Sequence, residues 1–138
     1  MPCRSAVFSS LRADQNVMSE PTLLAESIFP SLTVNDLGTS IRFYVDGLGF
    51  EIVEKSVDDG VLRFVMMRAG HIMLGLGQDD FAKGHDRVKG VGSRFWVRTS
   101  QDLEALAERA TSAGVALDFG PGPLPWGPMG LGFTDPDG

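Results

Sequence analysis

One cysteine, Cys3, is all the sequence offers, so an intrachain disulfide is impossible and a cysteine-rich zinc site is excluded. A single thiol accords with a reducing cytoplasm, where the protein is expected. Histidine is nearly as scarce, with His71 and His85 the only two. No apolar run approaches the roughly 18 residues of a membrane span. The opening stretch MPCRSAVFSSLRADQNV holds no continuous apolar region of signal-peptide length. An excess of positive charge is also missing. The net charge is -6, whereas a phosphate backbone calls for a clustered basic surface. The basic positions from Lys83 to Lys89 are interleaved with His85 and Asp86, which is the composition of a solvated loop. Neither nucleic acid nor a membrane is expected as a partner.

What is present suffices for one domain. The 138 residues are 43% apolar and 22% charged, a globular balance with room for one sizeable core and too little for two ordinary ones. Residues 1–25 read as a disordered tail, with Met18 as a second translation start, and residues 26–138 as a single domain.

The stretch LTVNDLGTSIRFYVDGLGF, residues 32–50, organises that domain. It opens as a strand and reaches a helix-start signal at Asn35-Asp36. Leu37, Ile41, Tyr44 and Val45 then fall on one helical face. Gly47 and Gly49 end the helix, because glycine accepts the left-handed conformation required there. RFWVRTSQDLEALAERATSAGVALDFG repeats the plan, with Asp102-Leu103 standing where Asp36-Leu37 stood. Two copies of one supersecondary unit imply a pseudo-symmetric domain.

Taken in order, the patterns predict a strand over 27–34, at a sheet edge or irregular because Pro30 has no amide hydrogen. A helix follows over 36–46, and strands over 50–57, 61–68 and 71–77. Tight turns at Asp58-Asp59-Gly60 and Ala69-Gly70 make these three strands an antiparallel meander. Residues 78–90 form a polar connection. The second unit has a strand over 91–98, a helix over 101–112, a strand over 115–119, an irregular proline-glycine loop over 120–128 and a strand over 129–134. Asp135-Pro136-Asp137-Gly138 is a turn signature. The first unit has three strands after its helix and the second has two, so we expect a last strand to be missing, by truncation or by an incomplete gene product.

Two of these segments, PSLTVNDLGTSIRFYVDGLGFE and the closing PWG...FTDPDG, resemble the glyoxalase/bleomycin-resistance/dioxygenase family, the vicinal oxygen chelate superfamily. The resemblance covers residues 27–138. It implies an α+β fold: paired βαβββ modules (27–77 and 91–138) forming a cupped, mainly antiparallel sheet with helices outside. It also implies a cleft for small molecules and, often, a homodimer. Activities in the superfamily range from metal-dependent lyases, isomerases and dioxygenases to metal-free drug-binding proteins.

Side chains alternate across a strand, so one face meets the helix and the other lines the cup. Ile28, Leu32 and Val34 suit the helix side of the first strand, leaving Phe29, Ser31 and Thr33 for the cup. Ile72, Leu74 and Leu76 face the helix in the fourth strand and leave His71, Met73 and Gly75. Phe95 and Val97 leave Gly92, Arg94 and Trp96. The metal-ligand positions that the resemblance implies then hold Phe29, Gly75 and Gly92, whose side chains cannot ligate a divalent ion. His71 also reads as a strand-end histidine with a local hydrogen bond, and Arg94 as a structural ion pair or as an arginine exposed by a one-residue slip. Trp126 either closes over the cleft or pins its own loop.

The expected function is therefore small-molecule binding without the usual metal, and without a cofactor. The ligand-binding set is Phe29, Ser31, His71, Met73, Arg94, Trp96 and Trp126. Arg94 would receive an anionic group, because guanidinium binds carboxylate or phosphate bidentately, and the ligand's apolar body would lie on Met73. The rival reading is a metal-dependent lyase or dioxygenase of the same superfamily, its divalent ion held by ligands in other positions or completed by another chain. A third is an interaction protein whose cup is filled by its own side chains.

Overall fold

The computed structural model describes residues 22–138. The expectations for Cys3 and Met18, and for the tail as far as residue 21, lie outside the described residues. Residues 22–25 carry no regular structure and are exposed.

The first unit is β1 (Ser31–Val34), α1 (Leu37–Ile41), β2 (Glu51–Asp58), β3 (Val61–Ala69) and β4 (Ile72–Gln78). Helix α1 runs without a break into a π-helical segment, Arg42–Gly47. Asp36 caps its start, the carboxylate accepting from Thr39 N at 2.9 Å. Its end is closed by Phe50 N donating to Tyr44 O at 3.0 Å across Gly49, whose φ is 87°. The sheet order is β1-β4-β3-β2. The two hairpin pairs are antiparallel, and β1 lies parallel to β4 with Ser31 opposite Gly75. Edge position for β1 agrees with the Pro30 argument. The strand begins only at Ser31; of the four residues predicted ahead of it, Pro30 reaches β4 through its carbonyl, which accepts from Gly75 N at 2.9 Å. At the β2–β3 turn Asp59 and Gly60 both have positive φ, 51° and 76°, the conformation a two-residue hairpin prefers.

The core of this unit is Val34, Leu37, Tyr44, Val65, Met67, Leu74 and Leu76, all buried. Val65 pairs with Leu76 and Met67 with Leu74 in the β3–β4 register, so one sheet face is closed by the helix.

The second unit comprises α2 (Leu103–Ser112), β5 (Leu117–Pro123) and β6 (Met129–Phe133). Asp102 caps α2, accepting from Glu104 N at 3.0 Å. β5 and β6 pair antiparallel in a separate two-stranded sheet. Two expectations change here. The proline-glycine run does not stay irregular, because β5 continues to Pro123. A register shift between Phe119 and Gly122 takes Gly120-Pro121 out of the ladder, so no hydrogen bond is asked of the proline nitrogen.

The second correction is larger. Residues 91–98 form no strand and are exposed along their whole length. β-formers cannot hold a strand without a backbone partner. In the first unit β4, the third strand of the meander, is that partner for β1. Among the described residues the second unit has no third strand to play the same part.

The units join through the first helix. Phe43 meets Phe133 edge to face at 5.7 Å. Asn35 N donates to Asp137 Oδ1 at 3.1 Å and Arg109 Nη2 to Val45 O at 3.3 Å. A Cβ placed on buried Gly47 would stand 2.5 Å from Val115 Cγ2. Only glycine lets this helix and the α2–β5 corner approach so closely.

Candidate ligand-binding face

Alternation leaves the sheet face opposite α1 without a helical cover. β4 contributes Met73, Gly75 and Gly77 to it, β3 contributes Phe64 and Met66, and β1 contributes Ser31 and Thr33. The glycines have a spatial consequence. A Cβ on Gly75 would lie 2.7 Å from Phe64 Cζ and 3.3 Å from Ser31 Oγ. The Phe64 ring therefore rests on the Gly75 backbone, with the Ser31 hydroxyl beside it. The result is a half-buried floor of ring and thioethers, edged by the two hydroxyls of Ser31 and Thr33 and, beside Met73, by Arg68 paired with Glu51, a mix that suits an apolar ligand with few polar points.

The residues expected to bind ligand separate into groups. Ser31 and Met73 lie on this floor. Phe29 precedes β1 and is exposed, and His71 sits exposed in the β3–β4 turn, outside the strand assigned to it. Trp96 and Trp126 come together, their ring centroids 5.4 Å apart in an edge-to-face contact. Arg94 lies on the unpaired segment with Phe95, Trp96 and Val97, all exposed. The alternation that placed Phe95 and Val97 against a helix, and Arg94 toward the cup, does not hold there, because no strand imposes it. Gly92 lies on the same segment and has φ 77°.

Metal chemistry requires donors, and the expected ligand positions carry none. Gly75 is covered by Phe64. Among the described residues no group of three or more His, Cys, Asp or Glu side chains is close enough to share an ion. Gln78, an amide close to the floor, is committed to backbone: its Oε1 accepts from Leu37 N at 2.9 Å and its Nε2 donates to Asn35 O at 2.7 Å.

Sequence reasoning missed Phe64 and Met66 as floor residues, although the alternation of VLRFVMMRA encoded them. It also missed a polar cluster at the end of β4. The Asp79 side chain, 5% exposed, receives Lys89 Nζ at 2.8 Å and Arg87 Nη2 at 3.1 Å on one oxygen. Phe81 N donates to the other at 2.9 Å. These bonds, that from Lys89 foremost, hold the Asp79 carboxyl below the usual carboxylate range. Lys89 also reaches Asn35 Oδ1. His85, assigned to a solvated loop, is exposed but stacks on Phe81 at 4.3 Å.

The chain matches the Glyoxalase/Bleomycin resistance protein/Dioxygenase superfamily over residues 26–138. No curated protein sequence matches it. Among solved structures it is similar to TnmS3, an antibiotic binding protein from Streptomyces sp. CB03234, with 25% identity and a TM-score of 0.62 over 83% of this chain and 89% of that one. A glyoxylase/bleomycin resistance protein/dioxygenase domain from Frankia sp. EAN1pec shows 27% identity and a TM-score of 0.60, over 83% and 87% of the two chains. An integron cassette protein from the mobile metagenome of V. cholerae shares the fold at 24% identity and a TM-score of 0.61, over 86% and 92%.

Proposed function

The chain belongs to the Glyoxalase/Bleomycin resistance protein/Dioxygenase superfamily, and from that premise we propose that it binds a small organic molecule on the open face of its four-stranded sheet. One observation carries the reading. Gly75 removes a side chain at the centre of that face, and the Phe64 ring, with Ser31 Oγ next to it, occupies the space. Phe64, Met66 and Met73 then supply apolar contact, and the Ser31 hydroxyl one hydrogen bond. The similarity to an antibiotic binding protein supports the same class of activity. The reading needs no metal and no cofactor, because Phe29, Gly75 and Gly92 offer no side-chain donor.

Two further parts of the proposal concern context. The unpaired backbone of residues 91–98, with Phe95, Trp96 and Val97 exposed, favours association of two copies. Sedimentation should then show a dimer, and a single monomeric species at high concentration would remove that part. Among the described residues no helix is long and apolar enough to cross a membrane, and we place the protein in the cytoplasm.

A thermal-shift screen of apolar and aromatic small molecules tests the central reading, since a ligand that binds the folded state raises the melting temperature. Binding should be confirmed by calorimetry and weakened about tenfold or more by Phe64→Ala, the loss of roughly 1.4 kcal/mol of contact. A screen without a hit, or a hit indifferent to Phe64→Ala and Met73→Ala, would overturn it.

A further inference from the structure

The polar cluster beside the open face has a charge balance that its internal pairing does not consume. Lys83, Arg87 and Lys89 fall within one short connection, together with Asp79, Asp80 and Asp86. Asp79 receives two cations on one carboxylate, one more than neutrality requires. Lys89 is the cation that belongs to it: its side chain is only 7% exposed and is shared with Asn35. Arg87 is different. Its side chain is 34% exposed and holds Asp79 through Nη2. Among the described residues that is its one ion pair and hydrogen bond, so most of the guanidinium's five donors stay available.

Arg87 borders an open cavity of about 330 Å³ that Thr33, Gln78, Asp79, Asp80 and Lys83 also line. Among the described residues Lys83 has no carboxylate within ion-pair distance. Asp80 turns Oδ1 to Ala82 N at 2.9 Å. The lining sets Asp79 and Asp80 against Lys83 and Arg87; Lys89 meets Asp79 from outside it, so that Lys83 is left as the cation without a carboxylate partner. Thr33 ties the cavity to the open face, because it stands on that side of β1 in register with Gly77. The volume lies at the low end of ligand sites, about 300–1,000 Å³, which suits the head group of a ligand better than its whole body.

We propose that this cavity is an oxyanion subsite, in which Arg87, steadied by Asp79, and Lys83 receive the carboxylate or phosphate of a small ligand whose apolar body lies on Phe64 and Met73. Thr33 donates a hydrogen bond to the same group. A guanidinium fixed at one corner by a buried carboxylate is preorganised, so it loses little side-chain freedom on binding. The subsite moves the ionic anchor from Arg94 to the connection between the two units. It rests on the reading of the open face as the ligand site.

The test uses amide chemical shifts of the whole chain with five probes: acetate, inorganic phosphate, benzoate, phenyl phosphate and benzyl alcohol. Acetate and phosphate should shift the amides of Thr33, Asp80, Lys83 and Arg87 saturably. Benzoate or phenyl phosphate should bind more tightly and also shift Phe64, which stands opposite Gly77 as Thr33 does, the tighter of the two identifying the preferred oxyanion. Arg87→Gln and the exposed Lys83→Gln should each weaken the anionic probes about tenfold or more, in keeping with hydrogen bonds to charged groups, and leave benzyl alcohol unchanged. If benzyl alcohol shifts Phe64 and Met73 while no anion shifts the cavity, the subsite is wrong and the open face stands. If acetate and phosphate bind at Arg87 and Lys83 but the phenyl group adds nothing, the cavity holds anions and the open-face reading fails.

Discussion

The phenol of Tyr44 donates a 2.8 Å hydrogen bond to Oδ2 of Asp135. One residue lies on the helix of the first unit and the other in the closing Asp-Pro-Asp-Gly turn of the second. The turn serves as a clasp between units as well as a reversal of the chain, since Asp137 receives Asn35 N nearby.

Tyr44→Phe keeps the ring contacts with Phe43 and Phe50 and removes the donor. The partly buried Asp135 carboxylate then loses a charge-assisted bond, at a cost of about 1.5–3 kcal/mol in urea unfolding. Burial, and after it the Asp135 charge, push the phenol well above its ordinary value. A raised folded-state value gives stability that is complete below about pH 10 and declines above it, as the unfolded chain alone loses the proton. Wild type should weaken above that pH, and Tyr44→Phe should flatten the alkaline limb.

Asp79 carries the opposite sign. Its folded-state carboxyl is held low by Lys89 first and by Phe81 N–H next. Its contribution is complete above the unfolded-state value of about 3.9 and disappears as pH falls below it. Asp79→Asn should lower the urea midpoint at pH 7 by stranding the nearly buried Lys89. It should also make the midpoint less sensitive to acid. An unchanged acid limb would mean that other carboxylates set it.

Gly47→Ala tests the joint between units. The new methyl would meet Val115 Cγ2 at 2.5 Å, and Val115 is buried and β-branched, with little room to turn. Overpacking costs about 1–3 kcal/mol, of which better helix propensity returns up to about 1. A net loss should appear in denaturant melts. Combining it with Val115→Ala should cost less than the sum of the singles, and strict additivity would show that the contact is not what Gly47 provides.

The Trp96–Trp126 pair is exposed, so its contribution should sit near the low end of aromatic pairs, about 0.5 kcal/mol beyond the area buried. Trp96→Ala and Trp126→Ala should each lower stability slightly, with the double variant costing less than their sum. These are the two tryptophans of the chain, so each single variant also reports the other's fluorescence. A Trp126 emission that ignores Trp96→Ala would mean that the rings do not meet in solution.

Much of the first unit was legible because it is local. Asp36 caps the helix that its position announced, and Asp58-Asp59-Gly60 makes the turn that its residues favour. Leu74 and Leu76 fall on the core side that alternation gave them, whereas Ile28 and Ile72, given the same side, are exposed, the first lying ahead of β1 and the second opening β4. The same alternation places Ser31 and Met73 opposite. It failed at Arg94 and Trp96, where the β-forming run SRFWV had every local mark of a strand. A strand is a pairing, and the pairing partner is not written in the segment itself.

From the order of residues alone came the two repeated units, the family they resemble, the meander with its parities, and the poverty of thiols and imidazoles that could hold a metal. These follow from periodicity, turn chemistry and composition, each readable within a short window. Tertiary structure decided the rest: that residues 91–98 stay unpaired, that Phe64 fills the place of a side chain at Gly75, that Trp96 meets Trp126, and that Asp79 gathers Arg87 and Lys89 beside Thr33. Each depends on which distant backbone or charge arrives next to a residue. Hydrogen-bond partners and desolvation act through distances in space, which a chain separation does not specify.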